Sequence, residues 1–150
     1  MRTLFQTIKQ QFLEGNDLVL ASITASSGST PRGAGSRMLI GKSGRIAGTI
    51  GGGAVEYRAE LMAQDILEKK ESCEHEFRLN RKDVENIGMI CGGDVTVFFQ
   101  YLDHNDPVIS EITETAAKSY EERKDFWLIC DLKTLSLIHI SEPTRHLRIS

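Results

Sequence analysis

Between residues 2 and 14 the apolar side chains Leu4, Phe5, Ile8, Phe12 and Leu13 recur at helical spacing, and Gly15 follows as a stop, so the chain is expected to open on an amphipathic helix. Residues 18–25 are rich in Val, Ile and Leu and read as a buried strand, which runs into the polar, glycine-rich stretch SSGSTPRGAG. Two short apolar runs, residues 37–40 and 45–47, flank Gly41-Lys42-Ser43-Gly44 and predict a β-hairpin. Residues 54–70, with Val55, Ala59, Leu61, Met62, Ile66 and Leu67, form the clearest helical pattern in the chain. Residues 74–79 alternate polar and apolar as a half-exposed strand does, with Phe77 and Leu79 on one face. Strong strand character returns at residues 94–102, a helix is expected from Pro107 to about Glu122, and residues 126–132 read as a last strand. Interspersed strands and helices with a central hairpin predict an α/β or α+β fold: a single layered domain with a mixed sheet flanked by helices.

Glycine placement changes the picture from fold to chemistry. All 13 glycines lie at or before Gly93, and all but Gly15 fall between Gly28 and Gly53 or between Gly88 and Gly93. Glycine weakens regular elements, so such crowding marks loops where a missing Cβ is needed. Neither tract is a dinucleotide fingerprint, because Gly51-Gly52-Gly53 continues into Ala54-Val55-Glu56 and Gly92-Gly93 into a strand. Gly41-Lys42-Ser43 ends like a P-loop, but Ser36 stands where the first glycine belongs and a hairpin turn follows instead of a helix. What remains at Thr49-Ile50-Gly51-Gly52-Gly53 is a turn into a helix N-terminus, with backbone N–H groups and the Thr49 hydroxyl available to an anion. Arg32 and Arg37, among small residues, suit carboxylate or phosphate oxygens. Cys91 sits on a glycine-rich turn with Gly92 and Gly93, where a thiol is either exposed, with thiolate formation favoured by nearby cationic or helix-terminal groups, or buried and inert. Glu56 on the first helical turn either stabilises the helix N-terminus or orients a ligand.

Composition narrows the class without adding a site. The 150 residues carry a net charge of −3, which gives no general attraction to nucleic acid or anionic membranes. No apolar run approaches the roughly 20 residues of a membrane span, and the polar start lacks a signal-peptide core, so a cytoplasmic location is expected. Three cysteines without CxxC spacing argue against a disulfide framework and against a zinc site. Residues 135–145, LSLIHISEPTR, resemble the in-frame translation of a transposase adapter used to prepare DNA sequencing libraries. Ile149 and Ser150 continue that match beyond His146, Leu147 and Arg148, which fill the place of a variable index. Residues 135–150 are therefore expected to be a non-native tail, with the genuine chain ending near Thr134.

Three segments taken together resemble the XdhC/CoxI family in order and spacing over nearly all of residues 1–134: GSTPRGAGSRM from Gly28, GTIGGGAVE from Gly48, and GMICGG from Gly88. The resemblance implies an accessory factor, not an enzyme, that binds the molybdenum cofactor, supports its sulfuration and delivers it to xanthine dehydrogenase or a related molybdenum hydroxylase. A cysteine desulfurase as sulfur donor and a homodimer belong to the same expectation. Thr49, Gly51, Gly52 and Gly53 would contact phosphate or pterin, Arg32 and Arg37 the anionic groups, with Glu56 beside them. Cys91, with Gly92 and Gly93, would lie near the metal or its sulfur. Some members place a Cys after the glycine triplet where this chain has Ala54. Full-length members also carry a C-terminal Rossmann-like domain, before which residues 1–134 are expected to stop. Two other functions share the same residues: a sulfur-transfer enzyme using Cys91 as nucleophile, and a binding module for another phosphorylated metabolite. The first is disfavoured because His75 and His104 lie in polar segments with no evident claim on Cys91.

Overall fold

The computed structural model describes residues 3–28, 33–79, 93–131 and 136–141. They divide into two compact units, Asp17–Leu102 and a second made of Met1–Asn16 with Asp103–Ser150. The first unit holds β1 (Leu18–Gly28), β2 (Arg37–Gly41), β3 (Gly44–Gly48), α2 (Gly53–Lys69), β4 (Cys73–Arg78) and β5 (Gly93–Leu102). The second holds α1 (Leu4–Leu13), α3 (Pro107–Glu121), β6 (Phe126–Asp131) and β7 (Ser136–Ser141).

In the first unit five strands form one sheet in the order β3-β2-β1-β5-β4. Each neighbouring pair is antiparallel, so the fold is α+β and the expectation of a mixed sheet is corrected. A helix between two strands is compatible with adjacent parallel strands. β3 and β4 do run in the same direction, but α2 carries the chain from one edge of the sheet to the other, and three strands separate them.

One face of the sheet packs against α2. Val19, Ala21, Ile23, Met38, Ile40, Phe77, Val95, Val97 and Phe99 meet Val55, Ala59, Ala63 and Ile66 of the helix. Ala59 and Ala63 are fully buried, and their small side chains let the helix axis lie close to the strands. Alternate residues of the same strands, Leu18, Leu20, Leu39, Phe98 and Leu102, are buried too, which explains why β1 reads as a continuous apolar run rather than an alternating one. The hairpin closes through the two residues Lys42 and Ser43 between Gly41 and Gly44, which pair with each other.

The second unit shows how local chemistry sets its ends. Thr3 caps α1 in a capping box with Gln6, and Gly15 ends the helix with φ +81°. Asp106 caps α3 ahead of Pro107 by accepting from the N–H groups of Val108 and Ile109. Gln6 donates to Glu121 at 3.0 Å, and Phe5 meets Phe126 edge-on with ring centroids 5.9 Å apart. β6 pairs antiparallel with β7, so residues 136–141 of the expected tail form the second strand of a two-stranded ribbon.

Backbone approach is close at Gly48, where a Cβ would run into the carbonyl of Arg37 and φ is +72°. Replacing Gly48 by Ala should therefore cost about 2 kcal/mol or more in urea unfolding. A loss within about 0.5 kcal/mol would show that the two backbones can separate without penalty. Among the described residues, the apolar cluster under α2 draws its buried members from Val19 to Phe99 with Tyr101 packed against it, and a lone two-stranded ribbon is marginal. Deleting residues 135–150 should shift the melting temperature by no more than about two degrees, and a larger drop would make the ribbon part of the folded core.

Candidate functional site

Antiparallel order decides which loops share an end of the sheet. β1 ends at Gly28 opposite Gly93, the first residue of β5, while Arg78 at the end of β4 pairs with Asp94. β2 begins at Arg37 opposite Ser22, and β3 ends at Gly48 opposite Met38. The chain thus leaves the sheet at Gly28, Gly48 and Arg78, and re-enters it at Arg37 and Gly93, all at one end. Gly28, Gly48 and Gly93 each bound one of the three segments singled out in the sequence, and Arg37 lies near the far end of the first. Arg32, Cys91 and Gly92 lie outside the described residues.

Around the β3–α2 turn the sequence-predicted residues do come together. The Thr49 N–H donates to the Arg37 carbonyl at 3.0 Å, which ties the turn to the first residue of β2. Gly51, Gly52 and Gly53 follow with φ of +122°, +73° and +59°. Gly52 has ψ −169°, a conformation open essentially to glycine alone, so this residue type is required by the backbone. The turn leads directly into α2, whose N-terminal N–H groups need acceptors.

For the N-cap residue, Gly52, and for Gly51 before it, acceptors come from inside the chain. Glu56 Oε2 accepts from the Gly52 N–H at 2.7 Å and from the Thr49 hydroxyl at 2.6 Å. The same hydroxyl oxygen accepts from the Gly51 N–H at 3.1 Å. Glu56 Oε1 faces the Arg45 Nε at 3.3 Å, and the glutamate side chain is only 10% exposed against 50% for the arginine. Arg45 Nη1 also donates to the Gly48 carbonyl at 3.1 Å. A buried carboxylate with one cation and two hydrogen-bond donors is a stable arrangement, whereas the same carboxylate without them would be costly. Of the two roles read for Glu56, the geometry displays the helix-stabilising one. Arg45 was not among the candidates, because an ion pair 11 positions apart across a turn leaves no periodic trace in the sequence.

Space and charge remain for a ligand. A Cβ built on Gly33, Gly35 or Gly52 meets nothing within 4 Å, so these glycines do not exist to pack against a neighbour. Arg37 is half-buried at the start of β2, and among the described residues its guanidinium has no carboxylate partner. Gly93 stands apart from this group: it pairs with Gly28, six residues further along β1 than Ser22, the partner of Arg37. At the usual strand rise of about 3.3 Å per residue that separation is about 20 Å. A bulge at Thr24 interrupts the register on the way. In the second unit an open cavity of 560 Å³ is lined by Gln6, Tyr120, Glu121, Arg123, Lys124 and Asp125, none of them a candidate.

Residues 12–78 match the XdhC and CoxI family, a span that contains Arg37 and the whole Thr49-to-Glu56 group. These residues form an XdhC/CoxI family domain. Along its length the chain is similar to the molybdenum cofactor insertion chaperone PaoD of Escherichia coli, with 24% identity over 144 residues, 96% of this chain and 43% of PaoD. It is also similar to the E. coli protein YqeB, with 41% identity over 80 residues, 53% of this chain and 14% of YqeB. The fold matches a solved structure described as a xanthine dehydrogenase from Bacillus halodurans, with a TM-score of 0.71 and 16% identity over 91% of this chain and 42% of that one. The chain therefore spans less than half the length of these relatives. Among the described residues no helix is long and apolar enough to cross a membrane.

In this XdhC/CoxI domain the Thr49 hydroxyl both donates and accepts, so Thr49→Val should leave the Gly51 N–H without an acceptor and Glu56 short of a donor. We expect a loss of about 1–3 kcal/mol in chemical denaturation, with Thr49→Ser close to wild type. Equal stability for Val and Ser would remove the hydroxyl from the account of the turn.

Proposed function

We propose that the chain is the N-terminal part of a molybdenum cofactor insertion chaperone and that it takes the cofactor at the glycine-rich end of the five-stranded sheet. Similarity to PaoD over nearly the whole chain supports this reading. The observation that carries it is the strand order, which collects the boundaries of three glycine-rich segments at one end. The group that would be bound carries a phosphate and a dithiolene on a pterin, and when present supplies the molybdenum centre a hydroxylase needs.

The open faces of Gly33, Gly35 and Gly52 suit close approach of such a bulky group, and Arg37, with Arg32, suits its phosphate. Because Glu56 already accepts from Gly52 and Thr49 serves Gly51, this turn offers a shaped glycine wall and leaves phosphate oxygens to the arginines. Cys91, flanked by Gly92 and Gly93, is assigned to the metal or its sulfur, since a soft thiolate suits both. In this reading the protein turns over no substrate of its own. It binds the cofactor, supports its sulfuration with a cysteine desulfurase as sulfur donor, and passes it, as a monomer or homodimer, to xanthine dehydrogenase or a related molybdenum hydroxylase in the cytoplasm. Residues 1–134 form the working domain, and residues 136–141, which pair with β6 in the second unit, take no part in holding the cofactor.

The test is molybdopterin content. Protein purified from a cofactor-producing host should carry the pterin, detected after oxidation to its fluorescent product, and Cys91→Ser should lower its content without moving the melting temperature. Burial pushes the Cys73 thiol above its ordinary value and the Asp65 carboxylate pushes it the same way, so near neutral pH less of it is thiolate. Iodoacetamide should therefore modify Cys91 faster than Cys73 and Cys130, and bound cofactor should protect it. Absence of molybdopterin from the wild-type protein, or a Cys91 that resists alkylation while its Ser variant unfolds, would overturn the assignment.

A further inference from the structure

We infer that Arg45 and Glu56 act as a pair of positioning residues that hold the β3–α2 turn in one conformation and in register with Arg37. The inference rests on the proposed cofactor reading for its purpose but not for its physics. A turn with Gly51, Gly52 and Gly53 all at positive φ has more backbone freedom to lose than any other stretch of this length in the first unit. Something must select one conformation, and the contacts form a continuous chain that does so. The guanidinium of Arg45 bridges from the Gly48 carbonyl, where the turn begins, to Glu56 Oε1 on the first turn of α2. Glu56 Oε2 then holds the Gly52 N–H and the Thr49 hydroxyl, Thr49 holds Gly51, and the Thr49 N–H is fixed on the Arg37 carbonyl. Start, middle and end of the turn are thereby tied to one buried carboxylate. The half-exposed arginine compensates its charge and ties it to β3.

This arrangement differs from an incidental surface ion pair, which couples nothing and contributes little. Here loss of the cation should be felt at two backbone N–H groups that Arg45 does not touch. Hydrogen exchange on the full chain reads that effect directly, because the Gly51 and Gly52 amides bond to side chains and not to the sheet ladder.

Arg45→Ala and Glu56→Ala should each speed exchange at Gly51 and Gly52 by about tenfold, with the amides of β1 and β5 unchanged. Glu56→Gln keeps a neutral acceptor for the Gly52 N–H and should fall between wild type and Glu56→Ala. The double variant Arg45→Ala/Glu56→Ala should exchange no faster than Glu56→Ala alone, since both act through one contact. Unchanged exchange in Arg45→Ala, or effects of the two variants that simply multiply, would overturn the inference. Faster exchange spread equally over β1 and β5 would also overturn it, by showing general destabilisation. Molybdopterin content of the same variants separates the two proposals: if the amides respond as expected and wild-type protein carries no molybdopterin, the pairing stands and the cofactor reading falls.

Discussion

Strand parity is the constraint on which the rest of the first unit depends. With the order β3-β2-β1-β5-β4 and antiparallel neighbours, the connections β1 to β2, β3 to α2 and β4 to β5 must all emerge at the same end. The tight Gly41–Gly44 hairpin and the left-handed Lys70 that ends α2 fall at the opposite end. No single contact creates this separation. It follows from the pairing pattern, and one inserted strand would send a glycine-rich segment to the wrong end.

Within that frame, the start of α2 solves a problem that its own glycines create. Three positive-φ residues in a row let the backbone turn sharply from β3 into the helix, yet they leave the helix N-terminus with no side chain to cap it: Gly52 occupies the N-cap position. Glu56 supplies the missing acceptor from one turn inside the helix, as the acidic partner of a capping box does. Once buried, its charge needs compensation, which Arg45 and the Thr49 hydroxyl provide.

Element positions were legible because periodicity and terminators agree. Gly15, the Lys42-Ser43 loop, Pro107 and the alternation at Phe77 and Leu79 all mark boundaries that the structure keeps within a few residues. β1 runs three residues beyond the expected Ala25, because pairing with β5 stabilises Ser26, Ser27 and Gly28 against their weak strand propensity. Pairing direction was not legible, since a helix between two strands has the same pattern whether the strands become neighbours or opposite edges. In the candidate site, residue types pointed correctly to a shaped turn at Thr49, Gly51, Gly52 and Gly53. Of the donors read as available to an outside anion, the Gly52 N–H and the Thr49 hydroxyl bond to Glu56, and that contact depends on a side-chain direction the sequence does not encode locally.

The stagger between strands divides the candidate surface into two parts. Arg37 and the β3–α2 turn are joined by hydrogen bonds and an ion pair no longer than 3.3 Å, so they move as one body. Gly93 lies beyond the bulge at Thr24, on a stretch where β1 is flanked by β5 but no longer by β2, and where Ala25, Ser26, Ser27 and Gly28 are exposed. β5 keeps its second neighbour there: Phe77 and Arg78 of β4 pair with Val95 and Asp94, and the Leu79 N–H donates to the Gly93 carbonyl at 3.0 Å, so only the β1 edge of that stretch is open. On the proposed reading, the arginine side of the site is the reference for an anionic group, and Gly93, held between Gly28 and Leu79, fixes the point at which the segment carrying Cys91 rejoins the sheet. Recognition of the anion and contact with the metal or its sulfur would then come from two strand ends, each anchored in the sheet, and a cargo held at both can be given up at one without disturbing the core.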